Sequence, residues 1–135
     1  MLDIKFILEN KEQVKKAIKD KGLKLDVEKL LLVYARRNEL LGEVEKLQGE
    51  KNKINDAIVS ALDKETLIKE GRAIKEKLAQ LEPELKEFQK ALDELLVLVP
   101  NIPAPDVPIG KDDKDNVEIY KWGEIPKFDF KIKDH

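Results

Sequence analysis

Side chains that commonly carry catalysis are scarce in this chain of 135 residues. His135 is the one histidine and the last residue, where a solvated side chain is expected, and the absence of cysteine excludes disulfides and thiolate metal sites. The acidic run 112–115 lacks the glycine and spaced final glutamate of a calcium loop, and Gly110-Lys111 lacks the upstream glycine of a phosphate loop. We therefore predict no catalytic, cofactor-binding or metal-binding residue in this chain.

Basic side chains in the middle of the chain are the remaining candidates, because they could contact a phosphate backbone. Between residues 46 and 77, eight lysines and arginines stand against six carboxylates, whereas two stand against five between residues 78 and 99. The candidate residues are Lys46, Lys51, Lys53, Lys69, Arg72 and Lys75. The asymmetry is weak, and charge alone favours an ordinary solvated coiled-coil face.

The composition indicates long helices without a thick aromatic core. Ala, Glu, Lys, Leu and Arg make up about half of the chain, and aromatic residues only 5%. The 26 basic and 28 acidic residues nearly cancel, so no overall positive charge indicates nucleic-acid binding, and no DNA partner is expected. No apolar run approaches the ~20 residues that span a membrane, and the N-terminus lacks a signal-peptide pattern. We expect a cytoplasmic protein without membrane contact.

The elements that would position the basic residues begin with two short helices within residues 3–21. Asp3 can cap the first helix. Asn10 can cap the second, with Gln13 as its capping-box partner, and Gly22 can close it.

Two long helices are predicted next. Asp26 can cap the first, over about residues 27–62, and Asp63 the second, over residues 64–99. The first carries an apolar stripe, interrupted at Arg37 and Lys51, of Leu30, Tyr34, Leu41, Val44, Leu47, Ile54 and Ile58. The second carries a strict heptad of Leu67, Gly71, Ile74, Leu78, Leu81, Leu85, Phe88, Leu92, Leu95 and Val99. Such a heptad predicts a narrow seam against one partner helix, hence an antiparallel coiled-coil hairpin about 50 Å long.

Three local features refine the predicted hairpin. Gly71 lies on the seam near the tip, where a missing side chain would let the helices approach closely. Pro83 predicts a kink; a helix boundary is the alternative, but the heptad continues in register across it. The base is apolar all round in the runs 30–33 and 95–99, so another element must pack there. The expected lid is formed by the short helices bearing Phe6, Ile7, Val14 and Ile18.

The pattern changes at Pro100. Residues 100–115 form a Pro-rich linker that must be extended, because each proline disfavours helix in the residue before it. Residues 117–122 predict one short strand, and the alternating Phe128, Phe130 and Ile132 predict another. Two strands alone are marginal in water, so they look like the opening of a larger sheet. The predicted fold is mainly α: a long antiparallel two-helix coiled-coil hairpin on a small helical base, followed by the linker and a short β segment.

Motifs over the entire chain carry a family resemblance. The proline-rich string contains Pro-Asn-Ile-Pro at 100–103, Val-Pro-Ile-Gly at 107–110 and Asn-Val-Glu at 116–118. Trp122-Gly123 and the Phe-Asp-Phe of 128–130 follow it, and Met-Leu-Asp-Ile-Lys-Phe-Ile opens the chain. Together these motifs closely resemble seryl-tRNA synthetase, at its start and in the passage from its N-terminal arm to its catalytic domain.

The resemblance implies a tRNA-binding function for the arm. In this family the helical arm lies along the long variable arm of tRNA-Ser and reaches the tRNA elbow, mainly through backbone and shape contacts. Glu50-Lys51-Asn52 resembles the family's Glu-Arg-Asn element. The implied tRNA-binding residues are Lys46, Lys51, Asn52, Lys53, Lys69, Arg72 and Lys75.

The resemblance also implies a domain organisation and a parent enzyme. Residues 1–99 would form the tRNA-binding arm domain, 100–115 the linker, and 116–135 the truncated start of a class II catalytic domain. The parent would be a homodimeric serine–tRNA ligase whose catalytic domain uses ATP and Mg²⁺. The signature arginines and the glycine-rich motif of that domain do not occur in this sequence, so the 135-residue chain itself is predicted to be non-catalytic.

A different class of function stays open: a structural or chaperone-like coiled-coil hairpin that binds protein partners. A prefoldin-like subunit would place its strands between the two long helices. Here the predicted strands follow the second helix, which favours the first interpretation.

Overall fold

The structure, a computed structural model, describes residues 2–60, 64–124, 126–131 and 133. It consists of helices α1 (Ile4–Glu9), α2 (Lys11–Asp20), α3 (Val27–Ser60) and α4 (Lys64–Val97), followed by a short 3₁₀ helix (Asp113–Asp115). Helices α3 and α4 pack against each other as a long hairpin. The predicted mainly α fold with a two-helix hairpin is confirmed.

Local signals begin and end the short helices as predicted, with one exception. The Asp3 carboxylate accepts a hydrogen bond from a backbone N–H of the first turn of α1 at 2.7 Å. Gly22 closes α2 in the left-handed conformation, with φ of 63°. The Asn10 side chain does not cap α2, so its predicted capping box with Gln13 is wrong. Since one residue separates the helices, the Asn10 amide serves α1 instead and donates to the Phe6 carbonyl at 3.0 Å.

The bounds of the long helices follow the sequence closely. The Asp26 carboxylate caps α3 by accepting two backbone N–H groups of its first turn, at 2.9 and 3.3 Å. Helix α3 runs to Ser60, and the predicted cap Asp63 lies outside the described residues. Helix α4 continues through Pro83 and ends at Val97, so a helix boundary at the proline is wrong and the kink stays a prediction.

The seam of the hairpin confirms one predicted stripe and corrects the other. All ten predicted heptad positions are buried or half-buried; nine lie in α4, and Val99 follows its end. On α3, Leu40 is completely buried although the predicted stripe omitted it, whereas Leu41 is only half-buried. With Val33 and Leu40 included, α3 also steps by three and four residues, and its seam includes the half-buried Arg37 and Lys51.

Gly71 faces Ile54 across the seam near the tip. A Cβ atom built on Gly71 would lie 3.6 Å from Cγ2 of Ile54, which is an ordinary van der Waals contact. The gap left by the missing side chain therefore accommodates a methyl group.

We expect Gly71→Ala to raise the free energy of unfolding by about 0.5–1 kcal/mol, because glycine in a helix interior loses more backbone freedom on folding than alanine does. Urea unfolding followed by circular dichroism measures the change. Gly42→Ala, on α3 where a Cβ would meet nothing within 4 Å, is the matched comparison. Stabilisation by Gly42→Ala together with destabilisation by Gly71→Ala would show that the seam has no room for the methyl group.

The core lies at the base of the hairpin, where the short helices cover it. Its buried residues are Ile7, Val14, Ile18, Val27, Leu30, Leu92, Leu96 and Val99. Phe6 packs against this cluster, so the predicted lid is confirmed. It does not cover the apolar runs all round, because Leu32, Val97 and Leu98 stay exposed. Lys11 and Lys15 of α2 also bridge to Glu28 at 2.6 and 2.9 Å and hold the pKa of that carboxyl below its ordinary value, but such exposed pairs contribute little stability.

Residues after α4 carry little regular structure. Ile102 of the linker packs against the base, and the acidic run forms a solvated turn in which the Lys111 N–H donates to the Asp115 carboxylate at 2.7 Å. The described residues 116–124 and 126–131 contain no strand, so the two predicted strands are wrong there; Ile132 lies outside the described residues. Strands need further strands or a packed helix beside them, and here even Trp122 is 88% exposed.

Candidate nucleic-acid interface

Polar side chains join α3 to α4 beside the apolar seam. The Arg37 guanidinium donates to the Gln89 side-chain oxygen at 2.7 Å, and the Gln89 amide donates to Asp93 at 2.9 Å. One residue earlier, Arg36 pairs with Glu84 at 2.9 Å, which raises the pKa of that guanidinium. Arg36 therefore lies on one flank of the seam and Arg37 in the seam itself, and their partners show which residues of α4 face them.

The hairpin has two grooved sides, one on each flank of the seam. Near the middle, one groove is lined by residues including Leu41, Glu45, Gln48, Glu82, Lys86 and Gln89. The seven-residue repeat places further residues on the same flank toward the tip. On α3, Asn52 and Asn55 lie seven residues after Glu45 and Gln48. On α4, Arg72 lies fourteen residues before Lys86, and Lys75 lies seven residues before Glu82. We call the flank defined by Gln48, Asn52, Asn55, Arg72 and Lys75 the amide side.

The opposite flank has a different charge pattern. Its grooves are lined by Glu43, Lys46, Glu50 and Lys53 of α3 and by Glu70, Ala73 and Lys77 of α4. We call this flank the mixed side. Basic and acidic side chains alternate along it, so a phosphate group brought to it meets both signs of charge.

The structure does not bring the seven predicted tRNA-binding residues into one patch. Asn52, Arg72 and Lys75 share the amide side, whereas Lys46 and Lys53 lie on the mixed side, across the hairpin. Five of the seven predicted residues therefore form two separate groups with the seam between them.

The last two predicted residues belong to neither side. Lys51 is half-buried on the seam of α3. Lys69 lies on the outer face of α4, where it pairs with Glu65 at 3.3 Å. Lys51 is therefore less available to a phosphate group than the residues on the two flanks, whereas Lys69 is exposed but lies away from both.

The amide side has the more uniform electrostatics near the tip. Over residues 48–55 of α3 and 68–79 of α4, the residues on the amide side include Arg72 and Lys75 but no carboxylate. The nearby Glu76 lies on the outer face of α4 instead. Neither basic residue forms an ion pair with the described residues. The sequence analysis did not assign Gln48 and Asn55 to this surface. The seven residues between them are the sequence feature that could have indicated that they share one flank.

Metal sites and membrane-spanning helices were sought within the described ranges of the chain. No group of three or more His, Cys, Asp or Glu side chains there could hold a metal ion. None of the described helices is both long and apolar enough to cross a membrane.

Comparison with known proteins identifies the family. Residues 1–103 match the family model described as the seryl-tRNA synthetase N-terminal domain. The chain belongs to this family. The match covers the base, the first linker residues and the whole hairpin with both of its grooved sides.

Individual members of the seryl-tRNA synthetase family align with the chain well beyond residue 103. A serine–tRNA ligase of Treponema denticola is 42% identical over 138 positions, covering 100% of this chain and 33% of that protein. The enzyme of Deinococcus radiodurans is 46% identical over 96% of this chain and 31% of its own length. The chain thus spans about a third of the length of the curated relatives it matches.

A solved structure shares the fold of the described residues. The seryl-tRNA synthetase of Pyrococcus horikoshii, solved in complex with ATP, superposes with a TM-score of 0.70 at 35% identity. The superposition covers 91% of this chain and 29% of that chain.

Proposed function

We propose that the α3–α4 hairpin is the tRNA-binding arm of a serine–tRNA ligase, the enzyme that uses ATP to attach serine to tRNA-Ser. The match of residues 1–103 to the seryl-tRNA synthetase N-terminal domain carries the proposal. Two observations support it: the hairpin projects beyond its base, and its basic residues concentrate in the tip half. The arm would lie along the long variable arm of tRNA-Ser and reach the elbow.

Backbone and shape contacts suit the side chains that the arm offers. Lysine and arginine bind phosphates without reading bases, and asparagine amides hydrogen-bond phosphate or ribose groups. The proposed contact residues are Lys46, Lys51, Asn52, Lys53, Lys69, Arg72 and Lys75. A helix pair of 34 residues each is about 50 Å long, so the arm can extend along an RNA arm well beyond its own base.

We place catalysis outside this chain. Residues 1–99 form the arm domain, 100–115 the linker and 116–135 the start of a class II catalytic domain that binds ATP and Mg²⁺ and assembles as a homodimer. The exposed Tyr120 and Trp122 would pack within that domain. A cytoplasmic location fits an enzyme of translation.

A titration with two RNAs tests the proposed function. The chain should bind tRNA-Ser more tightly than the same tRNA from which the long variable arm has been deleted, because the deletion removes the phosphates that the arm would contact. Filter binding or fluorescence anisotropy at fixed salt gives both affinities. Equal binding of the two RNAs, or binding of neither, would contradict the proposal and favour a hairpin that binds protein partners.

A further inference from the structure

We infer that Arg37 and Gln89 together select the register in which α3 and α4 pair, and so fix which residues face each other toward the tip of the arm. Arg37 is half-buried on the seam of α3 between the apolar Val33 and Leu40. Its guanidinium donates to the side-chain oxygen of the half-buried Gln89 at 2.7 Å, and the Gln89 amide donates onward to Asp93 at 2.9 Å. The register exists whether or not RNA is bound, so its selection is independent of the proposed function.

The apolar residues of the seam do not select a register by themselves. On α4 a leucine recurs every seven residues, at Leu78, Leu85 and Leu92. A shift of α4 by seven residues along α3 therefore places apolar side chains on apolar side chains again. Such a shift moves each helix end at the tip by only about three to four residues, which is one helical turn.

The Gln89 amide distinguishes the observed register from both shifted ones. A shift by seven residues in one direction places Gln89 opposite Leu30, and a shift in the other direction places it opposite Val44. Leu30 and Val44 are buried, with exposed fractions of 0% and 4%. The amide would then lie against side chains that neither donate nor accept hydrogen bonds, which is costly for a polar group removed from water.

The Arg37 guanidinium adds a second discrimination. The shift that places Gln89 opposite Val44 brings Arg37 opposite Leu96, whose side chain has no acceptor. The other shift brings Arg37 opposite Glu82, which would accept from it, so there the unpaired Gln89 amide alone opposes the shift. Of the three registers, the observed one gives both polar groups a partner.

Selection of the register positions the residues of the tip half. In the observed register Gly71 faces Ile54, and a Cβ atom on Gly71 would lie 3.6 Å from Cγ2 of Ile54. A shift of seven residues would move α4 along α3 by about 10 Å and in one direction would place Gly71 opposite Leu47. Arg72 would move by the same distance relative to Asn52, so the pairing of Arg37 with Gln89 acts on groups far from it.

Disulfide trapping measures the register, because the chain has no cysteine of its own. Ile54→Cys with Gly71→Cys joins the residues that face each other in the observed register. Leu47→Cys with Gly71→Cys joins the residues that one shift brings together, and Ile54→Cys with Leu78→Cys those that the other shift brings together. The disulfide yield of each pair, measured in dilute full chain under mild oxidation, reports the population of its register.

We expect Arg37→Leu/Gln89→Leu to raise the disulfide yield of the shifted pairs by roughly tenfold, because neither shifted register then leaves a polar group unpaired. The urea midpoint of this variant should equal or exceed that of the wild type, since apolar residues that replace a partly buried polar pair commonly preserve or raise stability. Circular dichroism of each variant verifies its helicity.

The neighbouring pair of Arg36 and Glu84 provides the matched control. Arg36→Leu/Glu84→Leu also removes a polar contact between the helices, but these side chains are 44% and 39% exposed. Water can hydrate exposed groups in any register, so the yield of the shifted pairs should stay within about twofold of the wild type.

Two results would overturn the inference. One is a shifted yield that stays at the wild-type level in Arg37→Leu/Gln89→Leu, in which case the pair at most stabilises the hairpin without selecting its register. The other is an equal rise in Arg36→Leu/Glu84→Leu, which would show that any polar contact between the helices has this effect. Neither result bears on RNA binding, which the titration with two RNAs tests separately.

Discussion

Leu30→Ala is expected to lower the free energy of unfolding by about 2–5 kcal/mol, because the truncation removes buried methyl groups and leaves a cavity that the neighbouring helices fill only in part. Leu30 is completely buried within the cluster that joins the short helices to the hairpin. Small domains are stable by only about 5–15 kcal/mol, so this one change would remove a large fraction of the total. Urea unfolding followed by circular dichroism at 222 nm measures it.

Leu32→Ala is the matched control for this prediction. It makes the same chemical change two residues away on the same helix, but Leu32 is 71% exposed. Its effect should stay within about 0.5 kcal/mol, as for most surface substitutions. Equal effects of the two substitutions would show that the short helices do not cover the base as the structure describes.

The double variant Arg72→Ala/Lys75→Ala is expected to weaken binding to tRNA-Ser and to flatten the slope of log affinity against log salt by roughly two units, about one for each phosphate that the arm no longer neutralises. The single variant Arg72→Lys should bind more tightly than Arg72→Ala but less tightly than the wild type, because lysine keeps the charge but not the bidentate hydrogen bonding. Affinities measured at four or more salt concentrations give the slope.

The control for the salt prediction needs a residue that takes no part in the polar contacts of the arm. Glu87→Gln serves, since Glu87 is exposed and forms no ion pair with the described residues. Glu84 is less suitable because it pairs with Arg36 across the hairpin. A double variant that stays folded, with affinity and slope both unchanged, would remove Arg72 and Lys75 from the interface.

The two seam stripes show what a single sequence can and cannot specify. The α4 heptad is unbroken and apolar, so its buried face was predictable. On α3, Leu40 and Leu41 are adjacent leucines, and the alternation of three- and four-residue steps selects Leu40 only when charged residues are accepted at seam positions. Arg37 and Lys51 hide the heptad further because charged residues hold two of its seam positions. Arg37 is accommodated by Gln89, a partner 52 residues away that no local pattern reveals.

The candidate site shows the same limit at a larger scale. Its residues and their place in the tip half were predictable from charge and from the family motifs. The division into an amide side and a mixed side was not, because it depends on how α3 and α4 are rotated against each other. That rotation is seen only in the packed hairpin, where Leu40 and not its neighbour Leu41 is completely buried.

The predicted strands illustrate a different limit. Alternating side chains around Phe128 and Phe130 satisfy the local rule for a strand, and their rings lie 5.2 Å apart. A strand forms, however, only where other strands accept its backbone hydrogen bonds. The pattern therefore describes a preference that residues 116–135 do not realise in the described part of the chain.

The distribution of burial along the arm has a mechanical consequence. Complete burial ends at Val44 on α3 and Leu78 on α4; none of the described residues 45–58 and 64–77 is fully buried. Opening the outer turns exposes little apolar surface, so their amide hydrogens exchange through local fluctuations that cost less free energy than unfolding of the base. The hairpin is therefore rigid at its base and more flexible toward its tip. Its base fixes the direction of the arm, and its compliant tip can follow the curvature of the surface that it meets.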